Sequence, residues 1–328
     1  MKNFLKHTLL FALIQFCILM AMLSQYQVRP EGFYAEINHK HRMLETSKPP
    51  RLLLVGGSNV GFGHDSERLT SELGLETLNL GLIALTGLEP ALNEVDGFLG
   101  KGDVVVISPV YENLAAPLKG SREFFKILEQ RPAYVANMDG PSLASLLDEA
   151  LPYLGAVARS VVFGDPLFEP NIEHSDFNER GDISSWREWV PKNKEAHRLR
   201  ISRRRLLSDG YNPAYASEQI EKLNQRFPEW QGRGCRIFFS FPSIPRPQFE
   251  RHRPRLLMLQ AQLRRELKIP ILDSVESQVF PAGEFYDTEY HLRGPAVKIR
   301  TERLIEALRK QGVGSVRTGQ AQSEAGSP

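Results

Sequence analysis

Five short strand-like segments within residues 51–272 constrain this chain more than any other feature. Arg51-Leu-Leu-Leu-Val55 breaks into Gly56-Gly57, and Asp103-Val-Val-Val-Ile107 is entered through Gly100-Lys-Gly102. Glu76–Leu80, Cys235–Ser240 and Ile269–Leu272 complete the set. The first two, short and with no alternating polar face, suit strands covered on both sides, as in a parallel sheet. Stretches with helical patterning lie between or after them: Asp65–Leu73, Leu88–Leu99, Arg255–Leu267 and a closing amphipathic Pro295–Lys310. Strand and helix in alternation predict βαβ units and an α/β fold, a three-layer α/β/α sandwich around a flavodoxin-like parallel sheet. Residues 112–234 are less regular and read as a mainly helical insertion after the third strand, with helices expected at Ser121–Gln130, Pro141–Leu154 and Ser217–Arg226.

The N-terminus has a different character. Thr8 to Val28 is uncharged over 21 residues, behind Lys2 and Lys6. A helix of that length spans about 30 Å, the thickness of a bilayer's hydrocarbon core. The lysines predict a cytoplasmic N-terminus and an extracytoplasmic remainder. A cleaved signal peptide is the competing reading, weakened by Met22 and Leu23 where a cleavage site wants small residues. The expected layout is therefore an anchor over 1–28, a juxtamembrane stalk over 29–50, an α/β domain over 51–313 and a disordered tail over 314–328.

Composition narrows the function classes. Forty-one Lys+Arg against 39 Asp+Glu leave a net charge of +2, which gives no electrostatic reason to expect nucleic-acid binding. Two cysteines, Cys17 and Cys235, exclude a disulfide-stapled module.

In a doubly wound sheet, ligands gather at the carboxyl ends of the strands. The first strand is followed by Gly56-Gly-Ser58-Asn59, the second by Asn79-Leu-Gly81, and the third by Ser108-Pro-Val-Tyr-Glu-Asn113. Asp287-Thr-Glu-Tyr-His291 precedes the last helix. A serine, backbone donors, an amide and an acid/histidine pair are the parts of a nucleophilic acyl-transfer site. Taken singly, each has a plainer reading: Ser58 as a helix cap, His291 as a loop residue, Asn79 and Asn113 as turn formers.

The set resembles the SGNH hydrolases (GDSL-type esterases), and within them the membrane-anchored branch that handles acyl groups of the cell envelope. That resemblance implies Ser58 as nucleophile, His291 as base, Asp287 as the acid, and Gly81 with Asn113 in the oxyanion hole. Two departures stand. The acid lies four residues before His291 rather than three, so Glu289 is a substitute candidate, and the usual Gly-x-Asn-Asp block is missing. The implied activity is a serine esterase or O-acyltransferase on acyl groups, acetyl above all, of an envelope polysaccharide, with no cofactor. Its partners would be that polysaccharide, the membrane, and a membrane-bound O-acyltransferase as acyl supplier. A catalytically inactive relative that binds glycan or scaffolds an export complex is the alternative.

Other signals carry less. Gly56-Gly57 through Gly61-Phe-Gly63 lacks the Gly-Lys-Ser/Thr of a phosphate loop. His39-Lys-His41 has no third metal ligand in view, and no His-Glu-x-x-His or Cys-x-x-Cys occurs, so no metal is expected. Arg198, Arg200 and Arg203–Arg205 read as a solvated face or a contact for an anionic glycan or headgroup. Trp186 and Trp189 read as packing for the insertion or as a platform for a sugar.

Overall fold

In the computed structural model, Leu53, Val55, Val105 and Ile107 face one apolar core while Leu52, Leu54, Val104 and Val106 face another. This alternation follows from the two-residue period of a strand, and both faces are apolar because both are covered. The structure describes residues 2–314 apart from 27, 29, 117–121, 165–171, 205, 208 and 209, and leaves out the side chains of 2, 12, 19, 22, 23 and 145.

The elements in chain order are helices α1 (Lys2–Leu23) and α2 (Glu36–Thr46), strand β1 (Arg51–Gly56), α3 (Ser58–Gly61), α4 (Ser66–Leu73), β2 (Glu76–Asn79), α5 (Leu88–Asp96) and β3 (Val104–Ser108). Then come α6 (Tyr111–Ala115), α7 (Glu123–Gln130), α8 (Gly140–Phe163), α9 (Lys194–Arg203), α10 (Pro213–Gly232) and β4 (Arg236–Phe239). The chain closes with β5 (Ile244–Pro245), α11 (Arg246–Glu266), β6 (Val279–Phe280) and α12 (Gly294–Lys310). The main sheet is parallel in the order β2-β1-β3-β4. Helices α2, α5, α10 and α11 supply one apolar layer (Leu44, Leu92, Ile220, Leu259), and α4 with α12 the other (Leu69, Leu73, Leu304, Leu308). At the lower end of the sheet the Arg51 guanidinium and the Asp103 carboxylate pair at 2.8 Å, both fully buried. Arg51 also donates to the Phe98 carbonyl, so neither charge is left without partners.

Three expectations need correction. The fifth strand, Ile269–Leu272, is reduced to a bridge between Ile271 and Phe239. The Phe239 N–H donates to the Pro270 carbonyl and Leu272 N–H to the Phe239 carbonyl, but Pro270 has no N–H with which to extend the ladder. Residues 33–46 are no stalk: Phe33, Tyr34, Ile37, Met43 and Leu44 are buried with Glu36 and Lys40, making α2 part of the domain. Helices α10 and α11 also run through Pro228 and Pro254, where the sequence reading ended one helix and began the other.

Among the described residues between Tyr111 and Gly232 lie helices α6 to α10. Helix α1 turns its apolar side chains outward, with Phe4 76% and Phe11 64% exposed. Among the described residues no helix is long and apolar enough to cross a membrane. The tail beyond Gly314 lies outside the described residues.

Candidate active site

The chain reverses its direction across the sheet between β1 and β3, and Ser58 follows β1 at that switch point. Ser58 opens the one-turn helix α3 behind an extended Gly57. As its first residue, Ser58 has an N–H with no acceptor inside the helix. Asn59, fully buried, accepts from the Gly57 N–H at 3.1 Å and donates to the Ser108 carbonyl at 2.9 Å, fastening the turn to the end of β3. The glycines are required by proximity. A Cβ on Gly56 would lie 2.3 Å from the Ser108 carbonyl oxygen, and one on Gly57 would meet Ala84 at 2.5 Å.

Behind this turn lies Arg300, 1% exposed, from α12. Its guanidinium donates to the Asn59 carbonyl at 2.9 Å and to the Ser108 hydroxyl at 3.1 Å. Burial lowers its pKa to about 10, against the opposing pull of Asp273 and Tyr111.

The residue expected as base comes from the other end of the chain. His291 Nε2 lies 2.8 Å from Ser58 Oγ, and its Nδ1 lies 2.6 Å from Asp287 Oδ1. The residues expected as nucleophile, base and acid therefore form one hydrogen-bonded line. The four-residue spacing is absorbed by a tight loop whose base is an antiparallel bridge of Phe285 with Leu292, closed by a Tyr286 N–H to His291 carbonyl bond of 2.7 Å. Burial acts to raise the Asp287 carboxyl, but the His291 imidazole, then Arg204 and Arg200, outweigh it and hold it below the usual range. Glu289, the substitute candidate, makes no such contact; burial pushes its carboxyl up, and Glu112 adds to the effect.

Side chains without an expected role in the triad hold this loop. Phe62 stacks flat on His291, centroids 4.0 Å apart, and fixes the plane of the imidazole. Tyr290 donates to Glu112 at 2.6 Å, linking the loop to α6. From α9, Arg200 donates to the Tyr286 carbonyl at 3.2 Å, and Arg204, just past the helix end, donates to the Asp287 carbonyl at 2.9 Å. Two members of the arginine run thus brace the acid's loop. Trp186 stacks on Tyr286 at 4.6 Å and Trp189 meets it edge-on at 4.9 Å, so both pack the insertion against the same loop. The sequence signal for Arg200 and Arg204 was the run itself. Phe62 and Tyr290 carried none beyond adjacency to motif residues.

The two expected oxyanion donors are placed differently. Gly81 packs against the Ser58 turn so closely that a Cβ would fall 2.5 Å from the Gly57 carbonyl oxygen. Its N–H, however, donates to the Asn79 side chain at 3.1 Å. Asn113 is buried in α6, and its amide donates to the Ala84 carbonyl at 2.9 Å, on the loop that covers Gly57. Both border the site, and in this state both bond within the protein.

A serine, imidazole and carboxylate in line can move a proton from the hydroxyl to the imidazole as the oxygen attacks a carbonyl carbon. The same imidazole can return that proton to a departing alcohol. No known protein family, no curated protein and no solved structure matches the chain.

Proposed function

We propose that this chain is a serine esterase or O-acyltransferase of SGNH type, which takes an acyl group through a Ser58 acyl-enzyme. The observation that carries this reading is the hydrogen-bonded line Asp287–His291–Ser58, at 2.6 and 2.8 Å. His291 activates Ser58, Asp287 orients the imidazole and stabilises its charged form, and the Ser58 N–H is available to a developing oxyanion. The N-terminal 21 uncharged residues behind two lysines favour a membrane anchor that holds the domain on the extracytoplasmic side. In that setting an envelope polysaccharide is the acyl acceptor or acylated substrate, and a membrane-bound O-acyltransferase supplies activated acyl groups.

The test is labelling of the full-length protein with a fluorophosphonate serine probe. Labelling that Ser58→Ala and His291→Ala both abolish is the expected result; a folded protein that does not label refutes an activated serine. One observation favours a second reading, a non-catalytic glycan-binding or scaffolding protein: the Gly81 N–H and Asn113 amide are engaged by Asn79 and Ala84. Glycan binding that survives both alanine substitutions, without labelling, is the outcome that supports it.

A further inference from the structure

Helix α2 carries a second cluster of chemically capable side chains, separate from the triad. Glu36 is fully buried at its start, and each of its carboxylate oxygens faces an imidazole nitrogen. Oε1 lies 2.7 Å from His39 Nδ1, one turn along the same helix, and Oε2 lies 2.7 Å from Nδ1 of His174. His174 arrives from residues 172–176, brought there by a bridge between Gly32 and Glu173 and by its own N–H on the Glu31 carbonyl at 3.0 Å. The imidazole rings are 5.6 Å apart and nearly perpendicular. One nitrogen from each histidine and one Glu36 oxygen all lie within 4.8 Å of one another.

We propose that Glu36, His39 and His174 form a binding site for a divalent transition metal of the zinc type. Two imidazoles and one carboxylate are a donor set for Zn²⁺ or Co²⁺ rather than for Mg²⁺ or Ca²⁺, which take oxygen ligands. Insertion of the ion replaces two hydrogen bonds by three coordinate bonds of about 2.0–2.2 Å, a change that ligand atoms this close reach by side-chain adjustment. The ion displaces the Nδ1 proton from each histidine to solvent or to Nε2. His174 is half exposed, which leaves an approach for the ion and room for a water as fourth ligand. Lys40, the nearby cation, is turned to the Asn79 and Gly181 carbonyls, at 2.7 Å each. A bound ion staples α2 to the insertion segment that runs on through Asp182 to Trp186, and so to the loop of the triad. His39 belongs to the His-x-His noted in the sequence, but its partners are Glu36 and His174 rather than His41. His41 bonds to Glu94 instead.

The test uses the full-length protein stripped with a chelator and titrated with Co²⁺ and Zn²⁺. The expected result is one equivalent bound, with the visible absorption of four-coordinate Co²⁺. In His39→Asn and His174→Asn, an amide N–H replaces Nδ1 and preserves the hydrogen bond, and affinity should fall by more than about tenfold. Absence of Co²⁺ absorption with the wild-type chain, or unchanged affinity in both variants, overturns the proposal. Should the asparagine variants fail to fold, the near-isosteric Glu36→Gln carries the same test with the same two readings.

Discussion

Substituting Gly81 by alanine perturbs the proposed nucleophile, Ser58, without altering any side chain of the Asp287–His291–Ser58 line. The new Cβ would stand 2.5 Å from the Gly57 carbonyl oxygen, 2.5 Å from the Val60 Cβ and 2.6 Å from the Gly61 nitrogen. Unstrained contacts of this kind need about 3.5 Å, so the clash is roughly 1 Å and is directed at backbone on either side of Ser58. Backbone cannot swing away as a flexible side-chain tip can, so α3 must shift by a comparable amount. The Ser58 Oγ to His291 Nε2 distance, now 2.8 Å, then leaves hydrogen-bond range. A displacement of about 1 Å at a reacting atom typically costs on the order of 100-fold in rate, and overpacking of this kind costs about 1–3 kcal/mol of stability. The assay is the second-order rate of fluorophosphonate labelling, with urea denaturation beside it. Gly97→Ala is the control, since a Cβ there meets nothing within 4 Å and the backbone is already right-handed, with φ −67°. It should be neutral or stabilising by up to about 1 kcal/mol. Wild-type labelling by a folded Gly81→Ala protein would refute the claim that this contact sets the position of Ser58.

Further expectations follow from the same geometry. Asp287→Asn should slow labelling by about 10³–10⁴-fold while Glu289→Gln leaves it near wild type; the reverse order would reassign the acid. Because the Asp287 carboxyl lies below its ordinary value, its contribution to stability is complete above about pH 4 and is lost as pH falls through its own lower pKa. Acid denaturation of wild type against Asp287→Asn reads this directly. Lys40 works in the opposite sense: burial lowers its pKa from 10.5 to about 8, so the unfolded chain binds the extra proton between those values and stability rises with pH across that window. The rise should amount to about 3 kcal/mol and be absent in Lys40→Met, as measured by denaturation from pH 7.5 to 10.5. Arg300→Met leaves the Asn59 carbonyl, the Ser108 hydroxyl and Asp273 without their cation, and should cost about 3–5 kcal/mol in urea denaturation.

What the sequence by itself determined is local and periodic. Continuous apolar runs such as Leu52–Val55 and Val104–Ile107 suit strands covered on both faces, and so they are legible in the sequence itself. The resemblance carried by the order of the motif residues also singled out Ser58 and His291, the first at the end of β1 and the second just before the last helix. Tertiary structure decided everything that depends on which distant atoms meet. Asp287 rather than Glu289 faces the imidazole because the Phe285–Leu292 bridge sets the loop's register, a pairing no spacing rule contains. The Gly81 N–H and Asn113 amide are occupied because Asn79 and Ala84 lie beside them in space. Residues 33–46 looked polar enough for a stalk, since Glu36, Lys40 and His39 are charged or polar in the one-dimensional reading. One face of the segment is core instead, with Glu36 and Lys40 buried in it, because His174 and the carbonyls of Asn79 and Gly181, from far along the chain, compensate the burial of those two groups. Hydrophobic patterning is written into neighbouring residues, whereas the pairing of polar groups is a property of the folded surface and appears only once the chain has closed on itself.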